Sequence, residues 1–213
     1  LESEQSQPEI EEQEQNAGMS AESILFVQEM QWGEQPVRLT AYRQTEMPTE
    51  APVTSVHVVA FQGDKVLAVR DRRGIFGFPG GRLEASESYE QALAREVYEE
   101  ARAVIRADVH LFAMMKIECT TRLPHRNYPH PYTYMAMYAG AVEALKPVGN
   151  DPAGVITGRD LFNFPDCEKY FAAHDRILLK EAIKILSKKP EGFMKPLHAY
   201  LTWLKESKKQ VVG

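Results

Sequence analysis

The run Pro79-Gly80-Gly81, followed by Glu87 and then by Arg95-Glu96-Val97-Tyr98-Glu99-Glu100, constrains this chain more than any other feature. It sets a diglycine turn, a short loop and an acid-bearing helix within some two dozen residues. Residues 89–103 contain no Pro or Gly and are rich in Ala, Glu, Leu, Gln and Arg, so a helix is predicted there. Ser86 or Ser88 can cap its start, and Glu87 and Glu90 suit the positive end of the helix dipole. Tyr89, Leu93, Val97, Ala101 and Val104 recur at helical spacing and form the predicted buried stripe.

Glu96, Glu99 and Glu100 stand at i, i+3 and i+4, so they share one helix face. At about 100° per residue, Glu100 projects into the edge of the apolar stripe. A carboxylate there is partly desolvated, which is costly unless it is paired. Like charges four residues apart also destabilise a helix, by roughly 0.2–0.5 kcal/mol a pair. A bound cation reverses both penalties, and an all-oxygen ligand set suits Mg²⁺, with Mn²⁺ as a substitute. The competing reading is a solvated acidic face balanced by Arg95 and Arg102. The position of the acids beside the apolar stripe and after a Pro-Gly-Gly turn weighs against it. Arg95 carries a forked, permanently charged donor, suited to holding Glu87 or a helix carboxylate in place.

These residues resemble the Nudix box: Gly, five residues, Glu, seven residues, then Arg-Glu-apolar-any-Glu-Glu-any-Gly-apolar. Gly81, Glu87, Arg95, Glu96, Val97, Glu99, Glu100 and Ala103 fall on that pattern with both gaps kept. One position departs from it: Arg102 stands where the family usually has Gly. Gly there suits a left-handed residue closing the helix, and Arg in that conformation costs roughly 1 kcal/mol. The box covers residues 81–103, and the fold it implies covers most of 50–190.

The resemblance implies hydrolysis of a nucleoside diphosphate linked to another moiety, by water attack on phosphorus assisted by Mg²⁺. It implies Glu96 and Glu100 as metal ligands, Glu99 as a third ligand or catalytic base, and Arg95 as a supporting catalytic residue. Gly80 and Gly81 are expected on the substrate side. The family's base varies and can lie outside the box. Here the candidate acids outside it are Glu118, Glu143, Asp151 and Asp160, of which Asp160 is favoured because it precedes an apolar-aromatic run.

A chain of 213 residues can bury a full core, and residues 21–213 are expected to form one domain. Residues 1–20 hold six Glu and four Gln and no Lys or Arg, which predicts an acidic, disordered tail. The formal net charge of −5 does not suggest generic nucleic-acid binding. Two cysteines suggest no disulfide framework and point to a reduced, cytoplasmic setting. No apolar run approaches the ~20 residues of a membrane span, so no membrane partner is expected.

Strands are predicted at 23–32 and 37–42 around a turn at 33–36, then at 53–61 and 66–69, with a linker at 45–52. Phe76 and Phe78 flank a short strand leading into the diglycine turn. Further strands are predicted at 107–119 and 132–144, and helices at 171–187 and 195–207. This order fits an α/β (α+β) fold, a mixed β-sheet sandwiched between α-helices. The apolar side of the last helix makes a homodimer a possible assembly.

Residues 120–132 mix basic, aromatic and proline residues between two predicted strands. Arg122 and Arg126 can grip phosphates, and Tyr128 can stack on a base, as expected for a small nucleotide substrate. An edge-protecting hairpin loop fits the segment equally. Two rival functions use the same fold: a nucleotide-sensing module without turnover, and an isomerase of prenyl diphosphates in which Cys119 takes part.

Overall fold

The computed structural model describes residues 19–32, 35–49, 51–119, 122, 129–149, 151–189, 198–203 and 205. The architecture is α+β, with a large mixed sheet and helices packed on it. Its contacts group into two compact units, Leu1–Thr54 with Ala113–Ala136, and Ser55–Phe112 with Met137–Gly213.

In the first unit, β1 (Ile24–Trp32) and β2 (Gln35–Arg43) pair antiparallel, and β2 pairs antiparallel with β8 (His110–Cys119) from Val37↔Cys119 to Arg43↔Ala113. Of the predicted turn at 33–36, Gln35 and Pro36 lie in β2, and residues 33–34 lie outside the described residues. Thr133 ties the start of β9 (Tyr132–Leu145) to the chain at Pro52, its hydroxyl donating to the Pro52 carbonyl at 2.7 Å. Met19, expected in the tail, is buried, and the chain enters β1 through a 3₁₀ turn at Ala21–Ser23.

In the second unit the strand path runs β9, β3 (Val53–Gln62), β4 (Lys65–Asp71), β10 (Ile156–Phe162). The short strands β5 (Phe76–Gly77) and β6 (Gly80–Arg82) pair with β4 and β3. Val56, Val58, Val59, Ala60 and Phe61 of β3 and Val66, Leu67 and Ala68 of β4 are buried. Such continuous β-branched runs are what a strand covered on both faces requires.

Helix α1 (Tyr89–Ala101) packs on β6, β4, β10 and on β7 (Ala103–Ile105). It buries Ala92, Leu93, Val97 and Ala101. Ser88 rather than Ser86 is the cap: its hydroxyl accepts from the Gln91 amide, and the Gln91 side chain accepts from the Ser88 amide at 2.8 Å. The helix stops at Ala101, two residues before its predicted end, so Val104 belongs to β7 and not to the helical stripe. The predicted helix at 171–187 is preceded by a separate helix. Helix α2 (Phe164–Tyr170), capped by Asn163, is followed at Phe171 and Ala172 by extended backbone, and α3 runs over Ala173–Ser187. Residues 198–203 are helical, and Trp203 and Tyr200 pack their rings on Phe164. Strand β10 carries no local sequence signal. Its residues show no clean alternation, and its partner β4 lies some ninety positions earlier.

Candidate active site

Two backbone devices bring the glycine turn onto the acid helix. Gly80 and Gly81 pair with His57 and Val56 of β3, and Val58 donates to the Pro79 carbonyl at 3.0 Å. Gly80 has φ 149°, and a Cβ there would stand 2.2 Å from the Val56 carbonyl oxygen and 2.5 Å from His57 Cα. Only glycine allows that approach. The His57 ring beneath the turn is half-buried, and desolvation lowers its pKa to about 4, so it is neutral at pH 7. Its Nδ1 donates to the Phe78 carbonyl at 3.3 Å, since a carbonyl can only accept.

With the turn so fixed, the Gly80 amide donates to Oε2 of Glu100 at 2.9 Å. A Cβ on Gly81 would fall 2.5 Å from the Glu96 carboxylate, so that carboxylate lies directly on the glycine backbone. The two glycines expected to meet substrate thus contact the two glutamates expected to hold metal.

Arg95 organises the opposite side of the cluster. Its Nε and Nη2 donate to the two Glu87 oxygens at 2.7 and 2.9 Å, a bidentate pair. Nη1 donates to Glu96 Oε1 at 2.9 Å, and Nη2 also reaches the Arg82 carbonyl at 2.8 Å. Glu99 Oε2 lies 3.6 Å from Nη1. The Arg95 guanidinium holds the Glu87 carboxyl well below its usual range, at about 2, and the paired acids raise the pKa of Arg95 itself.

The two inner glutamates both shift the opposite way from Glu87. Burial pushes the Glu100 carboxyl up to about 8, against the Gly80 hydrogen bond, and the charges of Glu96, Asp151 and Glu99 push the same way. Burial also raises Glu96, with Arg95 opposing and Glu99 and Asp151 adding to the rise. Among the described residues no group of three or more His, Cys, Asp or Glu stands as a ready metal cage. Glu96 is drawn toward Arg95 and Glu100 toward the Gly80 amide. The donor chemistry nevertheless fits a hard divalent cation: oxygen ligands only, with desolvated, mutually repelling negative charge that a cation relieves.

Among the described candidate acids outside the helix, the charge of Asp151 acts on both Glu96 and Glu100. Its own carboxylate accepts from the amides of Ala153, Val155 and Ile156, which fixes the turn before β10. Asp160, favoured from sequence, sits exposed on β10 opposite Ala68. Glu118 lies in the other unit beside Lys116 at 3.3 Å, and Glu143 lines an open depression with Arg106, Ala107 and Asp108. Arg122 is exposed and belongs to the first unit, whereas the acid helix belongs to the second. Arg126 and Tyr128 lie outside the described residues.

Arg102 takes the left-handed conformation, φ 46° and ψ 42°, at the position where the box pattern has Gly. A non-glycine residue there costs roughly 1–2 kcal/mol. Its amide donates to the Tyr98 carbonyl at 3.0 Å, its guanidinium stands 5.2 Å from the Tyr98 ring centroid, and a Cβ on Gly149 would lie 2.8 Å from its Nε. Arg159, which the sequence reading did not single out, donates to the carbonyls of Ala101 and Arg102 at 2.6 and 2.9 Å.

Residues 51–180 match the family model of the NUDIX domain. Among solved structures, the Bacillus subtilis pyrophosphohydrolase BsRppH is similar over 77% of this chain and 98% of its own, at 20% identity and a TM-score of 0.54. A NUDIX hydrolase from Nitrosomonas europaea matches over 61% of this chain and 87% of its own, at 23% identity and a TM-score of 0.48. The NUDIX domain of Shewanella oneidensis NrtR, complexed with ADP ribose, matches over 64% and 90%, at 18% identity and a TM-score of 0.48. At such identities the likeness concerns the fold.

Proposed function

The chain belongs to the Nudix family, and on that premise we propose that it hydrolyses the pyrophosphate bond of a small nucleotide, with Glu96 and Glu100 as the ligands of a Mg²⁺ ion and Glu99 as a third ligand or the base. Members of this family are pyrophosphohydrolases that use divalent metal ions. The observation that carries the site assignment is the contact of Glu96 and Glu100 with the Gly81 and Gly80 backbone, which gathers buried negative charge beside a glycine turn. Mn²⁺ is the expected substitute.

When bound, a divalent cation neutralises phosphate charge and favours in-line attack by water. The chain's own residues do the rest. The Gly80 amide orients Glu100, and Arg95 braces Glu96 while Glu87 holds Arg95. Glu99 has the more open carboxylate of the helix trio and is suited to accept the proton of the attacking water. Asp151 is the supporting acid outside the box, in place of Asp160, because its charge reaches both inner glutamates. Arg122, Arg126 and Tyr128 remain proposed contacts to the substrate.

The test is turnover across nucleoside triphosphates, ADP-ribose, sugar nucleotides, NADH, coenzyme A and dinucleoside polyphosphates, each with Mg²⁺ or EDTA. EDTA-sensitive cleavage of one class supports the proposal and names the substrate. Tight binding with no cleavage across the set would replace it with a nucleotide-sensing role.

A further inference from the structure

We propose that Arg159 is a positioning residue for the metal-binding glutamates, acting through the left-handed Arg102. The inference rests on the reading of Glu96, Glu99 and Glu100 as metal ligands, and concerns what keeps them in place.

The last carbonyls of a helix lack partners within it. In α1 one guanidinium meets them. Arg159 Nη1 donates to Ala101 O at 2.6 Å and to Arg102 O at 2.9 Å, and Nη2 donates to Lys146 O at 2.8 Å. Lys146 closes the circuit, its amide donating to Arg102 O at 2.8 Å. Arg159 itself is held in β10, opposite Val69 of β4. The final turn of α1 is thereby tied to β10 and to the chain leaving β9. A positive charge also suits the negative end of the helix dipole.

Glu99 and Glu100 stand on that same turn, three and two residues before Arg102. Glycine would adopt the Arg102 backbone conformation without strain, whereas arginine favours unwinding it. The clamp therefore matters more in this chain than where the box carries glycine. Loss of the clamp lets Arg102 relax, and the turn carrying Glu99 and Glu100 moves with it.

The experiment measures binding of Mn²⁺ alone, by electron paramagnetic resonance, and thermal unfolding. It compares wild type, Arg159→Met, Arg159→Lys, Arg102→Gly, the double variant Arg102→Gly/Arg159→Met, and Glu100→Gln. Arg159→Met is expected to weaken Mn²⁺ binding about tenfold, in the range seen when partners of metal ligands are removed. Arg159→Lys, which keeps the charge and one donor direction, recovers part of the loss. Adding Arg102→Gly to Arg159→Met restores affinity to within about threefold of wild type, because the strained residue is gone. Wild-type Mn²⁺ affinity in Arg159→Met, with only a lower melting temperature, overturns the proposal and leaves Arg159 a stabilising residue alone. If Arg159→Met does not fold, Arg159→Lys alone and with Arg102→Gly takes its place, and equal Mn²⁺ affinity in the two overturns it. If Glu100→Gln binds Mn²⁺ as wild type does, the metal assignment fails instead. The melting temperatures then decide: a double variant that loses less than the sum of the single changes keeps the clamp, and strict additivity removes it.

Discussion

The Gly80 amide donates to the Glu100 carboxylate at 2.9 Å, joining the glycine turn to the most buried acid of the helix. This bond does not offset the burial of Glu100, which pushes its carboxyl up to about 8. The site is thus poised against its own charge.

A pH dependence follows, and its sign is fixed. The folded pKa of Glu100 lies above its ordinary value of 4.5, so the folded state binds the extra proton. The associated stability is fully present below about pH 4.5 and is lost as pH rises through about 8. In EDTA, Glu100 therefore contributes a fall in melting temperature between pH 5 and 8, and Glu100→Gln removes that contribution. Mg²⁺ restores stability at pH 8 in wild type and not in the variant. The same substitution is expected to lower turnover about 100-fold or more with the fold kept. Undiminished metal-dependent activity in Glu100→Gln would sink the site assignment.

Gly81→Ala should damage catalysis more than stability. The new methyl falls where the Glu96 carboxylate now lies, and that side chain can swing away. We expect kcat to drop about tenfold to a hundredfold, with an unfolding midpoint within about 1 kcal/mol of wild type. Circular dichroism melts run beside kinetics separate the two effects.

Gly80→Ala should do the reverse. Its methyl meets backbone, the Val56 carbonyl and His57 Cα, in a conformation that side chains rarely adopt. Nothing there can swing aside, so a loss of about 2–4 kcal/mol is expected from strain and overpacking together. Denaturant unfolding at constant m-value checks this.

Arg95→Met should cost stability near neutral pH and make the remaining stability less dependent on acid. The Glu87 carboxyl is held at about 2 by Arg95, so the pair stabilises the fold above about pH 4.5 and fades as pH falls through about 2. Without Arg95 that support is absent, and the gap between wild type and variant melting temperatures is widest near neutral pH and narrows toward pH 2. A constant gap across that window would contradict the assignment.

Asp151→Asn and Asp160→Asn give a direct comparison. The first removes a charge acting on Glu96 and Glu100, and should lower the Glu100 pKa and weaken metal activation severalfold. The second changes an exposed strand residue and should leave kinetics within about twofold of wild type. Mg²⁺ titrations of activity distinguish them.

How much of this was legible follows the range of each interaction. The acid face of α1 is set by residues within a turn of one another, and spacing revealed it. The same holds for the valine-rich β3 and for the match to the box. The cap was narrowed to Ser86 or Ser88, and the departure at Arg102 showed only against the box pattern. The sequence did not reveal β10, the break at Phe171 and Ala172, the action of the Asp151 charge on Glu96 and Glu100, or Arg159. Arg159 reaches carbonyls 57 and 58 positions earlier in the chain, and no local pattern encodes such a meeting. The amino-acid order by itself determined which acids share a helix and which turn precedes them, because a helix repeats every 3.6 residues whatever surrounds it. Tertiary structure decided which of those acids is buried, which is bridged by arginine and which arginine holds the helix end. Those outcomes depend on desolvation and on contacts that exist only once distant strands have paired.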